Sequence, residues 1–110
     1  MVTNSMEKLL WETIAKLASK TNCKKRAVGC VIYNTVSKQI VGKGYNVHPD
    51  GGCDCNTTKT AIHAEVSALN SMKIQYPREN LIAFVGHQPC FNCGVALETV
   101  VKEVRYRSQD

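Results

Sequence analysis

Apolar residues recur at helical spacing near the start of the chain. They are Met6, Leu9, Leu10, Ile14, Leu17 and Ala18. This recurrence predicts an amphipathic helix over residues 5–19. Asn4 and Glu7 resemble a capping pair, which places the start of the helix beside them.

Two extended, β-branched runs follow this helix, at residues 27–33 and 39–45. The residues between them, 34–38, are mostly polar, so the pattern predicts a β-hairpin. Three glycines interrupt the runs: Gly29, Gly42 and Gly44. Glycine inside a strand marks a bulge, or a close approach of the backbone by a ligand or a packed helix.

The second half of the chain predicts helices and strands in alternation. Ile62, Val66 and Leu69 mark a helix whose first turn carries His63 and Glu65. The apolar run at 81–85 predicts a strand, a third helix opens at Cys90, and 103–107 predicts a last short strand. This order predicts an α/β fold of three layers, α/β/α, with a mixed sheet and an antiparallel first hairpin.

Length and hydropathy indicate one domain, residues 1–110, without a membrane partner. No apolar run approaches the roughly 20 residues that a transmembrane helix needs. The amino-terminal stretch carries Glu7, Lys8 and Glu12, which interrupt the apolar core that a signal peptide requires. We therefore expect a cytoplasmic protein, in which its six cysteines are reduced thiols.

The net charge of +5 is compatible with a partner that carries phosphate. It concentrates locally in the basic run 24–26. Only 6% of the residues are aromatic, and no extended basic tail is present. Both features disfavour a protein that tracks single-stranded nucleic acid.

The chemistry of the chain centres on His63, Cys90 and Cys93. One imidazole and two thiolates are a ligand set that Zn²⁺ prefers, and they leave a fourth tetrahedral position for water. Glu65, two residues beyond the imidazole, offers a carboxylate that moves the protons of that water. These residues predict a catalytic zinc.

A noncatalytic zinc module is the alternative, with four thiolates as ligands: Cys53, Cys55, Cys90 and Cys93. Such a closed site holds no water and has no activity. The spacing of the first two cysteines is tighter than usual, and this interpretation leaves His63 and Glu65 without a role.

Several segments together resemble the cytidine deaminase superfamily, and within it the deoxycytidylate (dCMP) deaminases. They are residues 27–32, Gly44-Tyr45-Asn46, His63-Ala64-Glu65-Val66, Pro89-Cys90-Phe91-Asn92-Cys93 and residues 102–106. The pairing of His-x-Glu with Pro-Cys-x-x-Cys is the signature of zinc-dependent nucleobase deaminases. The chain departs from the family pattern at Ser67, where members usually carry Asn.

The resemblance implies hydrolytic deamination of the cytosine base of a free nucleotide, most simply dCMP to dUMP. It implies that Asn46 contacts the sugar, that the N–H of Ala64 meets the pyrimidine carbonyl, and that the chain forms a homo-oligomer. Arg26 or Lys25 is then the candidate for the 5′-phosphate, since Arg offers planar bidentate donors. Free cytidine or deoxycytidine, a 5-substituted dCMP and single-stranded nucleic acid remain alternative substrates.

One loop carries a candidate second, structural zinc site, as in some dCMP deaminases. Its ligands are His48, Cys53 and Cys55. A fourth ligand is not evident, and free cysteines are commonly small buried apolar groups. We therefore expect one zinc per chain.

Overall fold

The computed structural model describes residues 3–21, 27–47 and 62–107. Its elements in chain order are α1 (Asn4–Ala18), β1 (Gly29–Asn34), β2 (Gln39–Tyr45), α2 (Ala64–Ser71), a 3-10 turn (Arg78–Asn80), β3 (Leu81–Val85), α3 (Phe91–Glu98) and β4 (Glu103–Tyr106). None of the helices in these ranges combines the length and apolarity that a bilayer crossing requires.

The N-cap of the first helix lies one residue earlier than predicted. Thr3 is the N-cap, and its hydroxyl accepts a hydrogen bond from the N–H of Met6 at 3.1 Å. The assignment of Asn4 as the cap is therefore wrong, because Asn4 is already helical. A threonine hydroxyl satisfies one of the free N–H groups of the first turn as well as an asparagine does.

The four strands form one mixed sheet in the order β2-β1-β3-β4. Strand β1 pairs antiparallel with both β2 and β3, and β3 pairs parallel with β4. Asn34 closes the β1–β2 hairpin, since its side-chain oxygen accepts hydrogen bonds from the N–H groups of Val36 and Ser37. Lys38 completes the turn with a φ of 59°. The predicted mixed sheet with an antiparallel first hairpin is confirmed.

The two faces of the sheet pack against different helices. One face packs against α1 and buries Leu10, Ile14, Leu17, Val31, Tyr33, Ile82 and Phe84. The other packs against α2 and α3 and buries, among others, Cys30, Ile32, Ala64, Ala68, Ala83, Val85 and Leu97. The predicted α/β/α layering is confirmed, and the α2–α3 layer carries the predicted metal ligands.

Helix α2 lies unusually close to β2. A Cβ atom on Gly44 would lie 2.5 Å from the backbone nitrogen of Ala68, and one on Gly42 would lie 2.8 Å from its carbonyl oxygen. Real Cβ atoms do not come so close, so both positions require glycine. The close approach of a packed helix is thus one reason for these glycines, and a bulge in the β1–β2 pairing lies next to Gly42 as well.

The outer edge of β2 is also tied to this helix. The N–H of Lys43 donates to the hydroxyl of Ser71 at 2.9 Å, and that hydroxyl donates to the carbonyl of Ala68 at 2.7 Å. A backbone donor at the sheet edge is thereby satisfied by a side chain of the covering helix.

Candidate active site

Two loop-to-helix junctions carry the predicted metal ligands. His63 immediately precedes α2 with φ −71° and ψ 152°, and Cys90 immediately precedes α3 with φ −67° and ψ 167°. Both residues are extended N-caps, and neither side chain bonds to the backbone of its own helix. His63 thus lies one position before the helical turn in which it was predicted. An N-cap side chain that does not cap leaves its polar atom to another partner.

The imidazole and the two thiols converge on one point. The Sγ atom of Cys93 lies 3.3 Å from Nδ1 of His63, and the Sγ atom of Cys90 lies 3.9 Å from the same nitrogen. The three ligand atoms all lie within 4.8 Å of one another. Zn–S bonds of about 2.3 Å and Zn–N bonds of about 2.0 Å at a tetrahedral angle separate sulfur from nitrogen by about 3.5 Å. The cluster therefore fits zinc with little movement of any side chain.

The ionisable groups of the cluster would repel one another as anions. Burial raises the pKa of Cys93 to about 12, and hydrogen bonding to Cys90 and the nearby carboxylate of Glu65 add to the rise. A divalent cation reverses this effect, because coordination stabilises the thiolate. Two thiols and a carboxylate crowded in this way are chemically suited to a cation.

Glu65 is a buried carboxylate. It is the second residue of α2 and only 5% exposed. The ion pairs found among residues 3–21, 27–47 and 62–107 do not include it. The amino-terminal turn of α2 favours an anion there, and a buried carboxylate that lacks a cationic partner is a mark of functional sites.

Cys30 lies beside this site, although it was not among the predicted site residues. It is fully buried in β1, and burial together with the charges of Glu65 and Cys93 raises its pKa. At neutral pH it is therefore a protonated, weakly polar group below the cluster. The alternation along β1 was a signal that could have identified it, because it places Cys30 and Ile32 on the face that the metal-bearing helices cover.

Asn46 and Ala64, the predicted substrate contacts, are brought near each other by a short bridge. Val47 and Ile62 exchange two backbone hydrogen bonds, of 3.0 and 2.8 Å, which fasten the end of β2 beside the start of α2. The side-chain oxygen of Asn46 accepts a hydrogen bond from the N–H of Val28 at 2.9 Å. Its carboxamide is therefore held in one orientation by the residue that precedes β1.

The remaining predicted site residues lie outside the described residues. They are the phosphate candidates Lys25 and Arg26 and the candidate second zinc ligands His48, Cys53 and Cys55.

Comparison with known proteins bears directly on this cluster. The profile of one protein family, described as the cytidine and deoxycytidylate deaminase zinc-binding region, matches residues 4–107. This match contains all three residues of the cluster together with Glu65.

Two curated relatives are deoxycytidylate deaminases of yeasts. The chain is 28% identical to that of Schizosaccharomyces pombe over 122 residues, which cover 94% of this chain and 37% of the relative. It is 33% identical to that of Saccharomyces cerevisiae over 105 residues, which cover 81% of this chain and 33% of the relative. The chain thus spans about a third of the length of these relatives.

A solved structure shares the fold over nearly the whole chain. The dCMP deaminase of cyanophage S-TIM5 in its apo form superposes with a TM-score of 0.82 at 27% identity, covering 96% of this chain and 85% of that one. The chain whose His63, Cys90 and Cys93 converge beside a buried Glu65 therefore belongs to the cytidine and deoxycytidylate deaminase family.

Proposed function

We propose that this protein hydrolyses the amino group from the cytosine base of a free nucleotide, with dCMP as substrate and dUMP and ammonia as products. The observation that carries the proposal is the buried carboxylate of Glu65 next to the cluster of His63, Cys90 and Cys93. The names of the two yeast relatives and of the cyanophage structure support the choice of dCMP.

His63, Cys90 and Cys93 hold the metal ion in this proposal. Zinc, when bound, supplies a Lewis acid that makes water nucleophilic near neutral pH. The protein contributes the orientation of the three ligands. The start of α2 positions His63, and the start of α3 positions Cys90 and Cys93.

Glu65 moves the protons of the reaction. Its carboxylate accepts one proton from the attacking water and donates it to N3 of the ring. It then accepts the second proton of the same water and donates it to the exocyclic amine. The carbon–nitrogen bond breaks, ammonia leaves, and the carbonyl of the uracil product remains.

The substrate contacts belong to the same proposal. The N–H of Ala64 holds the pyrimidine carbonyl, Asn46 contacts the sugar, and Arg26 or Lys25 holds the 5′-phosphate. The bond from Val28 supports the role of Asn46, because a carboxamide whose oxygen is already engaged presents a defined orientation to a ligand.

Ammonia release from a panel of cytosine compounds tests the function. Cytidine, deoxycytidine, dCMP, 5-methyl-dCMP, dCTP and a cytosine-containing oligonucleotide are compared with the same zinc-loaded protein. We expect the highest kcat/KM with dCMP and at least a tenfold lower value with deoxycytidine, since an Arg–phosphate contact contributes about 1.5–3 kcal/mol. Turnover of the oligonucleotide in preference to dCMP would replace the proposal, and no turnover of any compound would refute it.

We also propose one zinc per chain and a homo-oligomeric protein. The cluster of three ligands supports one zinc per chain. The exposed apolar residues of α3 support a homo-oligomer, since Phe91 is 83% and Val95 is 45% exposed.

A further inference from the structure

Asn46 pairs with Val28 in an irregular way. The two residues extend the antiparallel β1–β2 pairing one step beyond Gly29 and Tyr45. In a hydrogen-bonded pair of antiparallel residues, each N–H donates to the main-chain carbonyl opposite. The N–H of Asn46 donates in this way to the carbonyl of Val28 at 3.2 Å, whereas the N–H of Val28 donates to the side-chain Oδ1 of Asn46 at 2.9 Å. The carboxamide of Asn46 thus takes the place of its own main-chain carbonyl.

The displaced carbonyl of Asn46 is held by Thr21. The hydroxyl of Thr21 donates to it at 2.5 Å, which is the short end of the range for an O–H···O bond. Thr21 lies shortly after the end of α1 and 25 residues before Asn46, and both residues are partly buried. A side chain distant in sequence therefore engages the acceptor that a regular pairing would give to Val28.

This arrangement decides which end of the carboxamide faces a ligand. Because Oδ1 of Asn46 accepts from Val28, the NH₂ group is the end that can donate to an oxygen of a ligand, such as a sugar hydroxyl. The next residue, Val47, exchanges two backbone hydrogen bonds with Ile62, which directly precedes His63. The orientation of the carboxamide is thus set beside the start of α2, where the metal cluster begins.

We propose that Thr21 is a positioning residue for the substrate. It engages the main-chain carbonyl of Asn46, and so keeps the carboxamide bonded to Val28 with the NH₂ group directed to the sugar. This inference rests on the sugar contact of Asn46 in the proposed function. It assigns to Thr21 no contact with the substrate itself.

Removal of the hydroxyl makes two acceptors compete for one donor. In Thr21→Val the carbonyl of Asn46 loses the hydrogen bond from residue 21, and the regular pairing offers it the N–H of Val28. The carboxamide then loses its own bond to Val28 and regains rotamer freedom. A substrate that binds to it must restrict that freedom again, so its affinity falls.

Steady-state kinetics of the zinc-loaded protein give the first test. Thr21→Val should raise KM about five- to tenfold, the effect of one hydrogen bond, and leave kcat nearly unchanged, since the sugar takes no part in the chemistry. The increase should be equal for dCMP and deoxycytidine, because both carry the same sugar. An increase confined to dCMP would overturn the proposal, since it would link Thr21 to the 5′-phosphate.

Two substitutions serve as controls. Thr21→Ser keeps the hydroxyl and should keep the KM of the unaltered protein. Thr35→Val removes a bond of the same kind at the other end of β1, where the hydroxyl of Thr35 donates to the carbonyl of Asn80 at 3.1 Å. It should lower the Tm without changing KM. Thr21→Ala, which is smaller than valine, gives the same comparison if valine prevents folding.

A double-mutant cycle shows whether Thr21 acts through Asn46. Asn46→Ala removes the carboxamide, and the addition of Thr21→Val to this variant should raise KM no further. Additive increases would overturn the proposal, because Thr21 would then act independently of Asn46.

Nuclear magnetic resonance of ¹⁵N-labelled protein follows the carboxamide without turnover. Thr21→Val should shift the NH₂ signals of Asn46 and the amide signal of Val28, and unchanged signals would overturn the inference. A folded, zinc-loaded protein that turns over no cytosine compound would refute the proposed function. An active protein in which Thr21→Val keeps its KM would refute this inference alone.

Discussion

Gly44 lies directly beneath Ser67, so close that a Cβ atom on the glycine would come within 2.6 Å of the serine Cβ. This approach sets the position of α2 on the sheet, and α2 in turn carries Glu65 and follows His63. Half of the active site therefore depends on the absence of a side chain in β2.

Gly44→Ala should destabilise the protein and weaken zinc binding together. The added methyl group displaces α2, at a cost of about 1–3 kcal/mol for an overpacked contact. Thermal unfolding should show a lower Tm, and elemental analysis should show less zinc retained during dialysis. An unchanged Tm would mean that α2 can move away from β2 without a loss of stability.

Gly94→Ala should have the opposite effect on stability. Gly94 is inside α3, and a Cβ atom there meets no neighbour. Alanine should stabilise the helix by about 0.5–1 kcal/mol, because glycine loses more conformational freedom on folding. The midpoint of urea unfolding measures this, and a lower midpoint would contradict the open space found beside α3.

Glu65→Gln should reduce kcat by about 10²- to 10⁴-fold while zinc content stays the same. The substitution retains the shape of the side chain but removes its ability to carry protons. Glu79→Gln, at an exposed residue, is the matched control and should keep full activity. Loss of zinc from Glu65→Gln would instead identify Glu65 as a ligand.

The zinc content should be about one ion per chain, and His63→Ala should abolish it. The double variant Cys53→Ser, Cys55→Ser distinguishes one bound zinc from two. It leaves the zinc content unchanged if the loop binds no metal. A value near two that falls to one in the double variant would establish the second site.

The stability of the metal-free protein should decrease in alkaline solution. Burial raises the pKa of Cys30, so the folded state keeps a proton that the unfolded chain releases above its ordinary thiol pKa of about 8.5. Below that pH the thiol is protonated in both the folded and the unfolded state, so the contribution of Cys30 to stability is fully present. Above it, the free energy of unfolding falls by up to about 1.4 kcal/mol per pH unit for this thiol.

Cys30→Ala identifies the source of this pH dependence. Urea unfolding in the presence of a chelator, at several pH values, should give a shallower decline for the variant than for the unaltered protein. Equal slopes would assign the decline to other groups.

Most elements of the fold could be predicted because their apolar spacing has a single interpretation. Leu10, Ile14 and Leu17 recur with the period of a helix, and exactly these residues of α1 are buried. The run 81–85 is apolar throughout, and β3 is buried on both faces. The candidate metal ligands were recognisable because their types and spacing are chemically specific.

The neighbours of each strand could not be predicted in the same way. A short apolar run such as β3 fits beside β1 in either direction, and its antiparallel pairing depends on contacts far apart in the chain. The cap at Thr3 was missed because several polar residues near a helix start compete for that position. The alternation along β1 indicates which face Cys30 occupies, but its position beside Glu65 and Cys93 depends on the packing of α2 and α3, which are distant in the sequence.

The hydrogen bond from Lys43 to Ser71 has a consequence for how the β2 side of the sheet meets a foreign strand. It engages a backbone donor that an incoming strand would need, and the covering helix and a bulge opposite β1 also hinder the addition of a strand. This side of the sheet therefore offers a poor template for edge-to-edge aggregation.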